Sequence, residues 1–291
     1  MSLSDKKFIT VTLNPCIDKS VYLDTFRSGA LNRTQRTEYK AGGKGINVSR
    51  AFLKLNVPAV AVAFCGSMNG ARLNKIVSDE AIPHLWCTIA SETRMNIKII
   101  DEKNGSHTEI NEKGAAVTSD EYSALITALK ELFPVCKALF LCGSLPLGVE
   151  KNAYADIISI ANKENIPVLL DADDEALALG LKAKPYLIKP NAYELSRLTG
   201  CEIKTKVDAI DASARIFSET GTRILCTLGA DGAVYTDESG FYTIDAPNVT
   251  ITNPTGAGDT FLAAFAAAHF ASATPMDALK NANNTVALML K

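Results

Sequence analysis

The chain has 291 residues, with 30 Lys+Arg against 32 Asp+Glu for a formal charge of −2, and 47% of it is hydrophobic against 21% charged. That composition can build a large core, while its charge balance argues against a partner held by a basic face, such as nucleic acid or an anionic membrane. The longest apolar run, Phe261 to Ala268, stops far short of the roughly 20 residues of a membrane span. Met1 to Lys7 carries no basic-then-apolar leader, so a cytoplasmic enzyme is expected. Seven scattered cysteines without a C-x-x-C pair read as free thiols, and three isolated histidines offer no metal-ligand spacing.

Taken in order, Phe8–Leu13 reads as a buried strand, Ile46–Leu55 as a helix, Ala59–Phe64 as a strand and 71–80 as a helix. Ala138–Leu141, a helix over 151–164, Pro167–Leu170, Tyr186–Ile188, helices from 192 and over 207–219, and Arg223–Thr227 continue the alternation. Such β-α-β-α order with near-continuous apolar strands predicts a mostly parallel sheet covered by helices on both faces. Val21–Tyr39 and Asn96–Glu112 break the pattern with alternating polar and apolar residues, and Lys103-Asn104-Gly105 marks a hairpin turn. They predict a small inserted β-sheet, either a lid over a cleft or an edge extension. No linker interrupts residues 1–291, so one domain is expected, with lid segments at about 16–40 and 93–114.

Four clusters carry chemistry. Gly256, Ala257 and Gly258 precede Asp259 and an alanine-rich helical stretch, so first-turn amides could meet an anion beside a carboxylate. Asp259 reads equally as a general base or as a complement to the helix dipole. Ala41-Gly-Gly-Lys-Gly-Ile-Asn47 is a glycine cluster opening another helix, but Glu38 and Gly45 exclude a Walker A loop. Lys44 supplies a point charge suited to phosphate, and Arg94 adds a guanidinium at the entry to the hairpin. Asn191 and Glu194, after a strand ending in Lys189-Pro190, read at least as a capped helix start. Thr227-Leu-Gly229-Ala-Asp-Gly232 leaves a strand into a tight turn able to pass beneath phosphates.

Together with Thr12-Leu-Asn-Pro-Cys-Ile-Asp18, Thr93-Arg-Met-Asn96 and Gly143-Ser-Leu-Pro146, these clusters resemble the ribokinase-like (PfkB) carbohydrate kinases from about residue 8 onward. Within that family they are similar to the 1-phosphofructokinase and tagatose-6-phosphate kinase branch. The resemblance implies a three-layer α/β/α domain with a mostly parallel central sheet and a small inserted β-sheet lid. It implies that Asp259 is the base and that the amides of Gly256, Ala257 and Gly258 form the anion hole. Asp18, Gly42, Gly43 and Asn47 would hold sugar hydroxyls, and Lys44 and Arg94, with Asn96 and Ser144, the substrate's phosphate. Lys189, Asn191 and Glu194 would serve ATP phosphates and Mg²⁺, Glu194 through water, while Thr227, Gly229 and Gly232 would line the nucleotide path.

The expected activity is ATP-dependent phosphorylation of a ketohexose monophosphate to the bisphosphate. Fructose 1-phosphate is the first candidate substrate and tagatose 6-phosphate the second. A kinase of an unphosphorylated sugar and a silent sugar-phosphate sensor are the rivals, and the lid is expected to form a homodimer contact. Three departures from the family pattern stand out: Ser67 and Asp174 occupy positions where relatives carry glycine, and Pro254 sits just ahead of the anion hole.

Overall fold

The computed structural model describes residues 6–249 and 256–289. The chain opens with β1 (Lys7–Thr12), leaves the main body for β2 (Cys16–Leu23) and β3 (Arg36–Gly42), and returns through α1 (Lys44–Lys54), β4 (Ala59–Gly66), α2 (Ser67–Asp79) and β5 (His84–Ile89). A second excursion, β6 (Arg94–Asp101) and β7 (Ser106–Ile110), precedes α3 (Ser119–Leu132). Then follow β8 (Cys136–Cys142), α4 (Ala153–Lys163), β9 (Val168–Asp171), α5 (Asp174–Lys182), β10 (Leu187–Ile188), α6 (Ala192–Thr199), α7 (Lys206–Thr220) and β11 (Arg223–Thr227). β12 (Ala233–Asp237), β13 (Gly240–Ile244), α8 (Ala257–His269) and α9 (Pro275–Met289) complete the described part.

The main sheet has the order β13-β12-β11-β10-β9-β8-β1-β4-β5. It is parallel from β11 to β5, and the β11–β12 and β12–β13 pairs are antiparallel. Successive side chains of a strand point to opposite faces, which divides the apolar runs between two cores. Ile9, Val11, Leu139 and Leu141 pack with Leu129 of α3, Ile157 of α4, Leu177 of α5 and Ile216 of α7. Phe8 and Phe140 face the other way, toward Phe52 of α1, Phe265 of α8 and Leu279 of α9. Phe8 stacks on Phe52 with ring centroids 4.7 Å apart and meets Phe140 edge-on at 5.5 Å. The result is the expected helix–sheet–helix sandwich.

The two excursions pair with each other in a second sheet of order β3-β2-β6-β7. β2 runs antiparallel to β3 but parallel to β6, and the expected hairpin is β6–β7, with Ile97 opposite Ile110. Its root is fixed by an apolar cluster in which Ile17 and Ala41 of this sheet meet Ile46 of α1 and Leu73 and Val77 of α2.

The sheet order explains where a ligand can bind. β1 lies between β4 and β8, so the strand order reverses beside it, and in such sheets the crevice opens at the carboxyl ends of the strands. Both excursions leave from that edge, which places the small sheet over it. Ser67 (φ 58°) and Asp174 (φ 44°), the first residues of α2 and α5, both adopt the left-handed conformation. Their backbone is therefore the one a glycine would take, and a side chain there costs about 1–2 kcal/mol. Pro254 lies outside the described residues.

Candidate active site

The site is built around the start of α8. Gly256 caps this helix with φ 85°, a conformation that favours glycine, and no described side chain caps the first-turn amides. Asp259 lies in that first turn and is only 7% exposed. Burial, reinforced by the nearby Asp171 carboxylate, pushes its carboxyl up to about 6, against the pull of an Asn47 hydrogen bond. In that bond Asn47 Nδ2 donates to Asp259 Oδ2 at 2.8 Å.

Beneath this turn lies a buried ion network. Asp171 ends β9, and its two oxygens stand 3.0 Å from Lys44 Nζ and 3.0 Å from Lys189 Nζ. Burial would raise the Asp171 pKa, but the two ammonium groups outweigh it and hold the carboxyl below its usual range. Lys189 sits close under α8, since a Cβ at Gly258 would lie 3.5 Å from its Nζ. Lys44 also meets Asp173 at 2.9 Å and Glu194 at 3.8 Å. Burial would lower its pKa, and the three surrounding carboxylates reverse that. Burial raises the Glu194 carboxyl despite the pull of Lys44.

Two cavities meet at the α8 start. The first, about 370 Å³, lies under the small sheet and is lined by Asp18, Gly43, Lys44, Asn47, Arg94, Asn96, Ser144, Gly256 and Asp259. Asp18 is oriented by Asn96 Nδ2, which donates to its Oδ1 at 3.1 Å, and by the Cys16 thiol at 3.3 Å. Arg94 donates to the carbonyls of Glu112 at 2.9 Å and Asn14 at 3.0 Å. Asn14 in turn donates to Ser144 Oγ and to the Lys113 carbonyl, both at 3.1 Å. The second cavity, about 710 Å³, is lined by Asn191, Thr227, Gly229, Gly232, Ala257 and Gly258, with Pro247, Phe261 and Val286 as apolar walls. Gly232 (φ 91°) admits no side chain, because a Cβ would sit 2.0 Å from the Ile244 carbonyl oxygen. Both volumes fall in the range of small-molecule sites. Gly256 and Asp259 face one cavity and Ala257 and Gly258 the other, so a single helix start walls both.

The structure thus gathers nearly all the sequence-predicted residues on one edge, with three differences of detail. Lys44 lines the first cavity as Arg94 does, but its ammonium stands among Asp171, Asp173 and Glu194. Gly42 lies behind Asp18 and off the first cavity's wall: a Cβ there would be 2.3 Å from Asp18 Oδ2. Asn191 and Glu194 form a reciprocal capping box at the start of α6, so they also serve that helix directly. Sequence reasoning missed Asp171, Asp173 and Asn14, together with Lys40 and Lys98, which line the first cavity from the small sheet. A charged residue closing the apolar run Val168–Leu170 was the available signal for Asp171.

Comparison with known proteins gives the family. The sequence matches the pfkB family of carbohydrate kinases over residues 11–291. A tagatose-6-phosphate kinase of Staphylococcus epidermidis is 34% identical over 279 residues, which are 94% of this chain and 89% of that protein. A 1-phosphofructokinase of Bacillus subtilis is 30% identical over 258 residues, 89% of this chain and 84% of that protein. The crystal structure of phosphofructokinase-2 from Escherichia coli in complex with fructose-6-phosphate matches with a TM-score of 0.90 at 27% identity, covering 97% of this chain and 93% of that one. Fold and relatives define a phosphotransferase that acts on a sugar hydroxyl. The chain belongs to the pfkB family of carbohydrate kinases.

Proposed function

We propose that the chain transfers the γ-phosphoryl group of ATP to a ketohexose monophosphate, giving the bisphosphate, with fructose 1-phosphate as the leading substrate. The observation that carries this reading is the junction at α8, where one buried carboxylate and one set of helix-start amides stand between two cavities. The larger, partly apolar cavity suits a nucleotide, and the polar one under the small sheet suits a sugar phosphate. Asp259 accepts the proton of the sugar hydroxyl, and the hydroxyl oxygen bonds to Pγ as the bond from Pγ to the bridging oxygen breaks, releasing ADP. Amides of Gly256, Ala257 and Gly258 hold the charge on the transferred group. Asp18, Asn47 and the Gly43 turn position the hydroxyls, Gly42 acting by leaving room for Asp18.

On this reading Lys44, on the wall of the first cavity beside Asp171, Asp173 and Glu194, meets the transferred group or the sugar's own phosphate. Arg94, with Asn96 and Ser144 nearby and Lys40 and Lys98 on the small sheet, then takes that phosphate. Asn191, Thr227, Gly229 and Gly232 line the path of the ATP phosphates and ribose, with the buried Lys189 behind it under Gly258. Mg²⁺ entering with ATP needs only one or two carboxylates besides phosphate oxygens and water. Glu194 fits that donor set, since its Oε2 serves the helix cap while its Oε1 faces Lys44. The ion would neutralise charge on the phosphate oxygens. The small sheet is the lid, and a homodimer through it is part of this reading: β7 is exposed at all five positions. A cytoplasmic location is part of this reading; among the described residues no helix is long and apolar enough to cross a membrane.

Tagatose 6-phosphate is the second reading, favoured by the higher identity to the staphylococcal enzyme. In both sugars the reacting hydroxyl and the phosphate lie at opposite ends of the molecule, so the same cavity serves either. A coupled assay of ADP release over fructose 1-phosphate, tagatose 6-phosphate, fructose 6-phosphate and ribose tests the proposal. Turnover should concentrate on a ketohexose phosphate, and preference for ribose would overturn the reading.

A further inference from the structure

Asn47 and Arg50 stand three residues apart on α1, on one face of the helix. Asn47 Nδ2 donates to Asp259 Oδ2 at 2.8 Å, and Asn47 Oδ1 accepts from Arg50 at 2.5 Å. The guanidinium is fixed in turn by Glu80, the residue capping the end of α2, at 2.5 and 3.2 Å, and by the Ala41 carbonyl at 2.9 Å. The Arg50 side chain is only 13% exposed. A guanidinium is donor-only and an ionised carboxylate acceptor-only. An amide between them satisfies both in one orientation alone, with oxygen toward Arg50 and NH₂ toward Asp259. A flipped amide would set its oxygen against the carboxylate, which then holds a proton more readily.

We propose that Arg50 is a positioning residue for phosphoryl transfer: the relay Glu80–Arg50–Asn47 locks the Asn47 amide so that Asp259 is held ionised with its other oxygen turned to the acceptor hydroxyl. The inference rests on the proposed role of Asp259 as base. The other charged groups around Asp259 are Asp171, Lys44 and Lys189, with the Cys142 thiol nearby, and Lys40 faces Arg50. Substitution at Arg50 leaves all of these in place.

The test is the pH profile of kcat/KM for ketohexose phosphate phosphorylation by the full chain. Arg50→Met should lower kcat at neutral pH by roughly ten- to a hundredfold and move the acid limb upward by about one pH unit, with KM for ATP unchanged. Arg50→Lys, which restores a cationic donor to Asn47, should return the limb toward its wild-type position. A purely structural role would lower Tm and leave the limb where it is. Glu80→Gln, which only weakens the ion pair holding the guanidinium, should move the limb the same way by less, and it decides the matter if Arg50→Met does not fold. An unmoved limb in folded Arg50→Met, or in Glu80→Gln where that variant decides, overturns the relay. Full turnover by Asp259→Asn would overturn the base and the relay together. Lost turnover in that variant with an unmoved limb in Arg50→Met would overturn the relay alone.

Discussion

Asp259 is nearly sealed from water, and its carboxyl is pushed up to about 6 by burial and by Asp171. A base must be ionised to work, so turnover should fall as pH drops through about 6. The same shift has a stability consequence of opposite sense. Its folded-state pKa lies above 3.8, so protonated Asp259 favours the fold below that value, and this contribution is lost as pH rises through about 6. Above pH 7 the ionised carboxylate therefore costs on the order of 3 kcal/mol. Asp259→Asn should abolish turnover, keep ATP binding, and unfold at a higher temperature than the wild type at pH 8, with the gain shrinking toward pH 4. Calorimetric melts at the two pH values check this, and a loss of stability at pH 8 would contradict it. At this scale sequence was an uneven guide. Asp259 was legible because Gly256–Gly258 adjoin it, whereas Asp171 was not, because Lys44 and Lys189 reach it from other elements.

The small sheet was legible as an element because its strands alternate in polarity and Asn104-Gly105 supplies the turn. Its pairing was not, since the parallel β2–β6 ladder joins segments separated by α1, β4, α2 and β5. α3 escaped notice although Thr118 and Glu121 form a capping box, a local signal that periodicity alone does not use. α5 escaped notice too, although Asp174 and Glu175 place two acids in its first turn. Gly42, where β3 ends, shows how the root of the small sheet shapes the first cavity: a Cβ would lie 2.3 Å from Asp18 Oδ2 and 2.6 Å from Cys16 Sγ. Gly42→Ala should therefore displace Asp18 and raise KM for the sugar phosphate about tenfold or more, leaving KM for ATP unchanged. Steady-state kinetics with each substrate varied separately distinguishes this from a general loss of activity, which would move both.

Over the whole molecule, a formal charge of −2 conceals a strongly sorted distribution. The carboxyl edge of the parallel sheet collects Lys44, Lys189 and Arg94 together with Asp18, Asp171, Asp173, Glu194 and Asp259, while the strand interiors are apolar. Strand order explains why: the reversal beside β1 opens a crevice at that edge, and every chemical motif lies at or just beyond a strand end or helix start. The composition argues against a polyanionic partner, yet this near-neutral chain still gathers three cations at one edge of its sheet. The central claim is that the acceptor carries a phosphate of its own, held by Arg94. The most direct measurement is kcat/KM for fructose 1-phosphate relative to fructose, in the wild type and in Arg94→Ala. Losing one partner of a buried charged pair costs roughly 2–5 kcal/mol. The wild type should thus favour the phosphorylated sugar by about thirtyfold or more, and Arg94→Ala should lose most of that preference. Equal efficiency on the two sugars in the wild type, or an undiminished preference in the variant, would contradict the account.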